Sequence, residues 1–154
     1  MMNRSLADWL VLVPGAVLLM YLVYAQAIPA FDYELGVRMG TQESAQQITR
    51  VGAAFWYGFA FADLVIYIPL LLAGLYGYWR GSGWCLPVIG AALGITAYWP
   101  IVVLAAAVDA RGVPGWQIAE APYWVVLLPV FLWALWSLWQ VTSDGRNDGV
   151  SETV

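Results

Sequence analysis

The chain has 154 residues, of which 62% are hydrophobic and only 10% are charged, and its formal net charge is −4. Soluble domains carry about 25% charged residues, so this chain has too few charges to cover a water-facing surface. Its apolar residues form long runs rather than the spaced stripes of amphipathic helices. The sequence therefore predicts an integral membrane protein whose main surroundings are the lipid bilayer.

The residue types that the chain lacks exclude several kinds of site. It has no His and a single Cys, which rules out His-ligated metal sites, a Ser-His-Asp triad, an internal disulfide and a CxxC redox pair. Its six basic residues are all Arg and form no basic patch of the kind that binds nucleic acid. We predict no metal, no cofactor and no nucleic-acid partner.

The first apolar run, residues 9–27, is close to the ~20 residues that a helix needs to span the bilayer. The triplet Ala25-Gln26-Ala27 is typical of a signal-peptidase site, so a cleavable signal peptide is an alternative. The length of the run and the residues Asp8 and Trp9 at its start favour an uncleaved first span. Pro29 is expected to end this helix, because proline cannot continue the backbone hydrogen-bond ladder.

Residues 28–50 form the one long polar segment of the sequence. Apolar and polar residues alternate in its first half, which indicates a short strand or a segment lying on the membrane interface. Thr41 is the predicted cap of a new helix, with Glu43 in its first turn, where the helix dipole favours an acid. This helix is expected to continue into the second span, residues 53–79.

The third and fourth apolar runs are residues 85–108 and 122–141. The sequence RGSGW between the second and third spans predicts a tight turn, so these two spans should form an antiparallel hairpin. Residues 142–154 are predicted to be a polar, disordered tail. The predicted fold is an all-α bundle of four transmembrane helices, up-down-up-down, in one domain.

The orientation of the chain in the membrane is weakly determined by its charges. The positive-inside rule counts basic residues near span ends, and here it gives three Arg on each side. The N-terminal amine and the short second turn favour both termini on the cytoplasmic side of the cell membrane.

Asp63 is the most informative residue, because it lies inside the second span with no basic residue near it in the sequence. A carboxylate at bilayer depth costs at least ~2.5–3.5 kcal/mol, so such residues face the bundle interior or a wet cavity. Helical spacing places Trp56 and Tyr67 on the same face. Thr96 and Tyr98 of the third span are the predicted polar partners. The alternative is a structural, protonated Asp that is hydrogen-bonded to a neighbouring helix.

Small residues indicate where helices approach each other closely. Gly74 lies on the Asp63 face of the second span, and Gly90 and Gly94 form a GxxxG motif in the third. Such motifs allow close helix contact, although they are common in membrane helices by chance.

Every predicted span contains a proline, which removes a backbone hydrogen bond and frees the carbonyl four residues earlier. Kinks at these positions can open a pocket, and the freed carbonyls can line it. Alternatively, the prolines are simply tolerated, as in many membrane helices. The four prolines are Pro14, Pro69, Pro100 and Pro129, and the freed carbonyls belong to Leu10, Val65, Thr96 and Val125.

Three functions are compatible with these features. The leading hypothesis is a non-catalytic membrane protein that binds a partner subunit or an apolar ligand, as a homo-oligomer or within a larger membrane complex. The second is a small proton- or cation-coupled transporter that uses Asp63. The third is a lipid-modifying membrane enzyme, which ranks last because the sequence offers no second titratable group at the depth of Asp63.

Overall fold

The computed structural model describes residues 4–150 of the chain, with side chains described up to residue 143. Within this range every regular element is helical. Four helical segments are long and apolar enough to cross a membrane, namely Leu6–Phe31, Ala45–Arg80, Cys85–Asp109 and Glu120–Ser143. The predicted all-α bundle of four membrane helices is confirmed.

The elements follow one another along the chain with short connectors. The α-helices are α1 (Leu6–Leu22), α2 (Ile28–Phe31), α3 (Tyr33–Arg38), α4 (Ala45–Ala62), α5 (Ile68–Arg80), α6 (Cys85–Asp109) and α7 (Glu120–Val150). Two π-helical turns, Val23–Ala27 and Asp63–Tyr67, join α1 to α2 and α4 to α5. Because α7 extends to Val150, most of the segment predicted as a disordered tail is helical, and residues 151–154 lie outside the described range.

Pro29 does not end the first helix, and this prediction was wrong. The π-helical turn Val23–Ala27 absorbs the irregularity that the proline imposes, so the first span continues through α2 to Phe31. The carbonyl that Pro29 leaves without its helical partner is that of Ala25, and it accepts a hydrogen bond from Nε2 of Gln42 at 2.8 Å. A side chain from the polar segment thus replaces the missing backbone donor, as the low-dielectric interior requires.

The polar segment contains a helix rather than the suggested strand. Asp32 caps α3 by accepting a hydrogen bond from the backbone N–H of Leu35 at 2.9 Å, and this cap outweighs the weak alternation of apolar residues. Thr41 does not begin α4, because its hydroxyl donates to a carbonyl of α3. Ser44 caps α4 instead, in a reciprocal arrangement with Gln47.

The helix α5 turns back into α6 through a left-handed glycine, as the predicted hairpin requires. Gly81 has φ 67° and ends α5, a conformation that glycine adopts at little cost. Gly74 is equally necessary, because a Cβ there would lie 2.8 Å from the Cα of Ile89. The GxxxG motif does not mediate close packing, since a Cβ on Gly94 would meet nothing within 4 Å and one on Gly90 would first meet Leu138 at 3.9 Å.

Polar bonds close the bundle on either side of α1. The carbonyl of Leu10, freed by Pro14, accepts a hydrogen bond from Nε1 of Trp133 on α7 at 2.8 Å. Tyr78 on α5 donates its hydroxyl proton to Oδ1 of Asp8 at 2.8 Å. These bonds satisfy groups that would be costly to leave unpaired in hydrocarbon.

The tightly packed core lies in the half of the bundle nearest the α5–α6 hairpin. Val11, Leu71, Ile89 and Leu93 are at most 1% exposed and belong to one contiguous apolar cluster of α1, α5 and α6. The opposite half, beside the connectors 32–44 and 110–119, is less densely packed in that it contains a cavity.

Replacing Gly74 with Ala should destabilise the bundle, because the added methyl group meets the backbone of α6. The expected loss is about 1–3 kcal/mol, the usual cost of overpacking. The same change at Gly94 is the matched control and should cause no loss, since space is free there. Thermal unfolding of both variants in detergent measures the difference, and equal stabilities would contradict the packing described here.

Candidate functional site

A cavity of about 470 Å³ occupies the less densely packed half of the bundle. It lies between the end of α1, the connector before α4, and the helices α4, α6 and α7. Two carboxylates line it, Glu43 and Asp63. Its aromatic lining residues are Tyr21, Tyr24, Trp56, Phe59, Trp99 and Tyr123.

The position of Glu43 in this cavity depends on its neighbour Gln42. Besides the bond to the Ala25 carbonyl, Nε2 of Gln42 lies 3.5 Å from Oε1 of Gln26. Gln42 is only 9% exposed, so the connector is fixed against the first span at this point. The next residue, Glu43, is thereby held at the cavity wall instead of projecting into water.

Three aromatic donors surround Glu43. Trp56 donates its indole N–H to Oε2 at 3.1 Å, and the hydroxyl of Tyr123 donates to Oε1. The hydroxyl of Tyr33 donates to the backbone carbonyl of Glu43 at 2.8 Å. Hydrogen bonds to a charged acceptor are stronger than neutral ones, so this residue ties the connector to both α4 and α7.

The ionisation of Tyr33 is suppressed by its surroundings. Burial, together with the negative charges of Glu43 and Glu34, raises the pKa of Tyr33 to about 12. Its hydroxyl therefore keeps its proton throughout the physiological pH range and remains a donor to the Glu43 carbonyl.

Asp63 lies at the start of the second π-helical turn and faces the cavity. Among the side chains that the structure describes, none forms a hydrogen bond with its carboxyl group. The ion pairs of the described residues, Arg38–Asp32 and Arg111–Glu120, also lie elsewhere. The structural alternative for Asp63 required a bonding partner on a neighbouring helix, and no such bond is present in the described range.

The depth of Asp63 follows from its position along the second span. At 1.5 Å per residue it lies about 25 Å from the hairpin end of α5 and about 27 Å from the start of α4, close to the middle of the membrane-crossing segment Ala45–Arg80. π-helical turns are also frequent at functional sites.

The other predicted site residues divide into three groups. Trp56 lines the cavity together with Asp63. Tyr67 and Thr96 are buried and bonded to each other at 2.5 Å, and Thr96 donates onward to the Ala92 carbonyl, so Tyr67 is the donor of the pair. This pair belongs to the packed core. Tyr98 is 67% exposed on the outer face of α6, which corrects its predicted position beside Asp63.

The error at Tyr98 arises from helical rotation. Adjacent residues on an α-helix point about 100° apart, so the residue at the right depth can face the wrong way. Trp99, the next residue, lines the cavity instead. Counting residues outward from the hairpin gives depth correctly but does not give the direction of a side chain.

Sequence reasoning missed Glu43 as a site residue. The sequence places Glu43 only in the first turn of a predicted helix, because nothing in its immediate surroundings indicates burial. The relevant signal was Pro29, since the carbonyl it frees needs a donor, and Gln42 is a suitable one. Glu43 is a second titratable group in the wall of the cavity that Asp63 lines; that no second titratable group lies at the depth of Asp63 stays a prediction.

No known protein family matches this chain, and no curated protein or solved structure is significantly similar to it. Its function must therefore be inferred from the cavity and the groups that line it.

Replacing Glu43 with Gln should destabilise the connector end of the bundle. The amide oxygen can still accept from Trp56, and its NH₂ group can donate to the Tyr123 hydroxyl, but neither bond is then charge-assisted, so the loss should be about 1 kcal/mol. Combined with Tyr123→Phe, the two losses should not add, since both weaken or remove the bond between residues 43 and 123. Thermal unfolding of the single and double variants measures this coupling.

Glu34→Gln is the matched control for this cycle, because Glu34 is an exposed residue of the same connector. It should leave stability nearly unchanged. Additive effects of the Glu43 and Tyr123 substitutions would contradict the hydrogen bond between these residues.

Proposed function

We propose that this protein is a non-catalytic membrane protein that binds a small, largely apolar ligand in the cavity at the connector end of its bundle. The observation that carries the proposal is the cavity of about 470 Å³ lined by six aromatic residues. Ligand sites typically measure about 300–1,000 Å³ and combine apolar walls with a few polar groups. This cavity has both properties.

The polar groups of the cavity wall suit a ligand better than they suit simple packing. Asp63 has no hydrogen bond within the described part of the chain. Polar groups without a partner are costly away from water, and a ligand with its own polar atoms would pair with this carboxyl group.

The cavity also makes a transporter the second candidate. Two carboxylates, Glu43 and Asp63, line one space, which supplies the pair of acidic groups that a proton- or cation-coupled cycle uses. A transporter would move its substrate across proteoliposomes and lose that flux in Asp63→Asn while still accumulating normally. Retained ligand binding without flux in the parent protein supports the binding function instead.

Association with other subunits stays a prediction. The outer face of α4 exposes Val51 and Phe55, each 68% exposed, and an apolar helix face of this kind fits lipid as well as it fits a neighbouring chain. The placement of both termini on the cytoplasmic side likewise stays a prediction.

Filling the cavity should abolish ligand binding without unfolding the protein. Val103 of α6 lines the cavity, so Val103→Trp would place an indole in the ligand space. Val108→Trp is the matched control, because Val108 lies on the same helix and is 43% exposed on its outer face. Native mass spectrometry of the parent protein released from nanodiscs should detect a bound small molecule, which is retained in the control and absent from Val103→Trp.

Two outcomes would contradict the proposed function. One is a parent protein that carries no small molecule after gentle extraction and takes up none from a library of amphiphiles. The other is a small molecule retained equally by Val103→Trp and Val108→Trp, which would place the binding site outside the cavity.

A further inference from the structure

We propose that the ligand is an organic ammonium ion with an apolar body, and that Asp63 is its counter-ion. This inference rests on the proposed function and adds the chemical class of the ligand. It combines three observations on the same cavity: its charge, its aromatic walls, and the hydrogen bonding of its two carboxylates.

The charge of the cavity wall is entirely acidic among the described residues. Glu43 and Asp63 line it, and no Arg does. The two basic residues of the connectors, Arg38 and Arg111, form ion pairs with Asp32 and Glu120. An anionic ligand would meet two carboxylates without a compensating cation, at a site where charges are poorly screened. A cationic ligand would be attracted.

The aromatic walls favour an organic ammonium ion over a metal ion. The negative faces of Trp and Tyr rings attract ammonium groups, and cages of such rings bind quaternary ammonium ions. Trp56, Trp99 and Tyr123 line the cavity, and so do Tyr21 and Tyr24 of the first span. A bare metal ion requires several oxygen ligands instead, and the described residues contain no group of three or more His, Cys, Asp or Glu side chains.

The hydrogen bonds distinguish the two carboxylates. Both oxygens of Glu43 already accept hydrogen bonds, one from Trp56 and one from Tyr123. Glu43 therefore holds α4 and α7 together. Asp63 has no such bonds in the described range. Its carboxyl group is therefore the one free to pair with an ammonium ion, while Glu43 adds to the negative potential of the cavity.

This assignment also accounts for an acidic residue within an apolar helix. An ionised Asp63 facing lipid would be costly, whereas an ammonium ion bound beside it would neutralise its charge inside the cavity. The apolar part of the ligand would contact rings such as Phe59 and reach toward Val126 and Leu127 of α7. The ligand is thus expected to be amphiphilic, with one cationic end.

The test uses two probes of nearly the same shape that differ in charge. Benzyltrimethylammonium carries the cation, and neopentylbenzene replaces its nitrogen with carbon. The full-length protein is placed in nanodiscs of zwitterionic lipid, so that the membrane itself does not concentrate the cation. Binding is followed by intrinsic tryptophan fluorescence, to which Trp56 and Trp99 of the cavity contribute, and checked by displacement in equilibrium dialysis.

The cation should bind at least about tenfold more tightly than its neutral isostere, because the ring faces and a desolvated carboxylate both favour it. Asp63→Asn should reduce this preference to less than about threefold, since it keeps the shape of the side chain but removes its charge. Asp63→Glu should retain the preference. Asp109→Asn, which neutralises an exposed carboxylate outside the cavity, is the matched control and should bind the cation as the parent does.

Three other outcomes would each overturn a different part of the inference. Equal binding of the two probes, both excluded by Val103→Trp, would overturn the cationic class while leaving the proposed ligand-binding function intact. A cation preference that survives Asp63→Asn would overturn the role of Asp63. Failure of both probes to bind the correctly folded parent protein would overturn the inference, and absence of any co-purified small molecule would then also remove the proposed function.

Discussion

The hydrogen bond from Gln42 to the carbonyl of Ala25 determines much of the connector end of this bundle. Pro29 cannot supply the backbone donor that the Ala25 carbonyl would have in a regular helix, and hydrocarbon offers no water to replace it. The amide of Gln42 does so at 2.8 Å. As a consequence the polar connector is drawn against the first span, and Glu43 enters the cavity wall, where it bonds to Trp56 and Tyr123.

A proline also frees a backbone carbonyl near the other end of the first span. Pro14 frees the Leu10 carbonyl, and Trp133 of the fourth span donates to it. Two prolines, Pro14 and Pro29, therefore leave carbonyls to which donors from distant parts of the chain bind. This gives the bundle specific contacts between helices whose remaining surfaces are apolar and could otherwise pack in several ways.

The two halves of the bundle differ in packing, and this difference is what permits a ligand site. Near the hairpin, Gly74 lets α5 approach α6 closely, and aliphatic side chains form most of the buried core. Toward the connectors, large aromatic residues and two carboxylates surround a space of about 470 Å³.

The sequence predicted the four spans and the hairpin because these depend on the length of apolar runs and on glycine at the turn, which are local properties. It also placed Trp56 and Asp63 on one face by helical spacing alone. It could not predict that Tyr98 faces outward, because depth along a helix does not give rotation between neighbouring helices. Nor could it assign Glu43 to the cavity, since that position depends on a bond between residues 17 positions apart along the chain.

The central claim is that Glu43 of the connector and Asp63 of the second span line the same cavity. It is tested most directly by introducing Glu43→Cys and Asp63→Cys together in a Cys85→Ser background and treating the protein in nanodiscs with bifunctional thiol reagents of graded length. Mass spectrometry of the digested protein should show a bridge between positions 43 and 63. Labelling of both cysteines without any bridge, while the protein remains folded, would contradict the account.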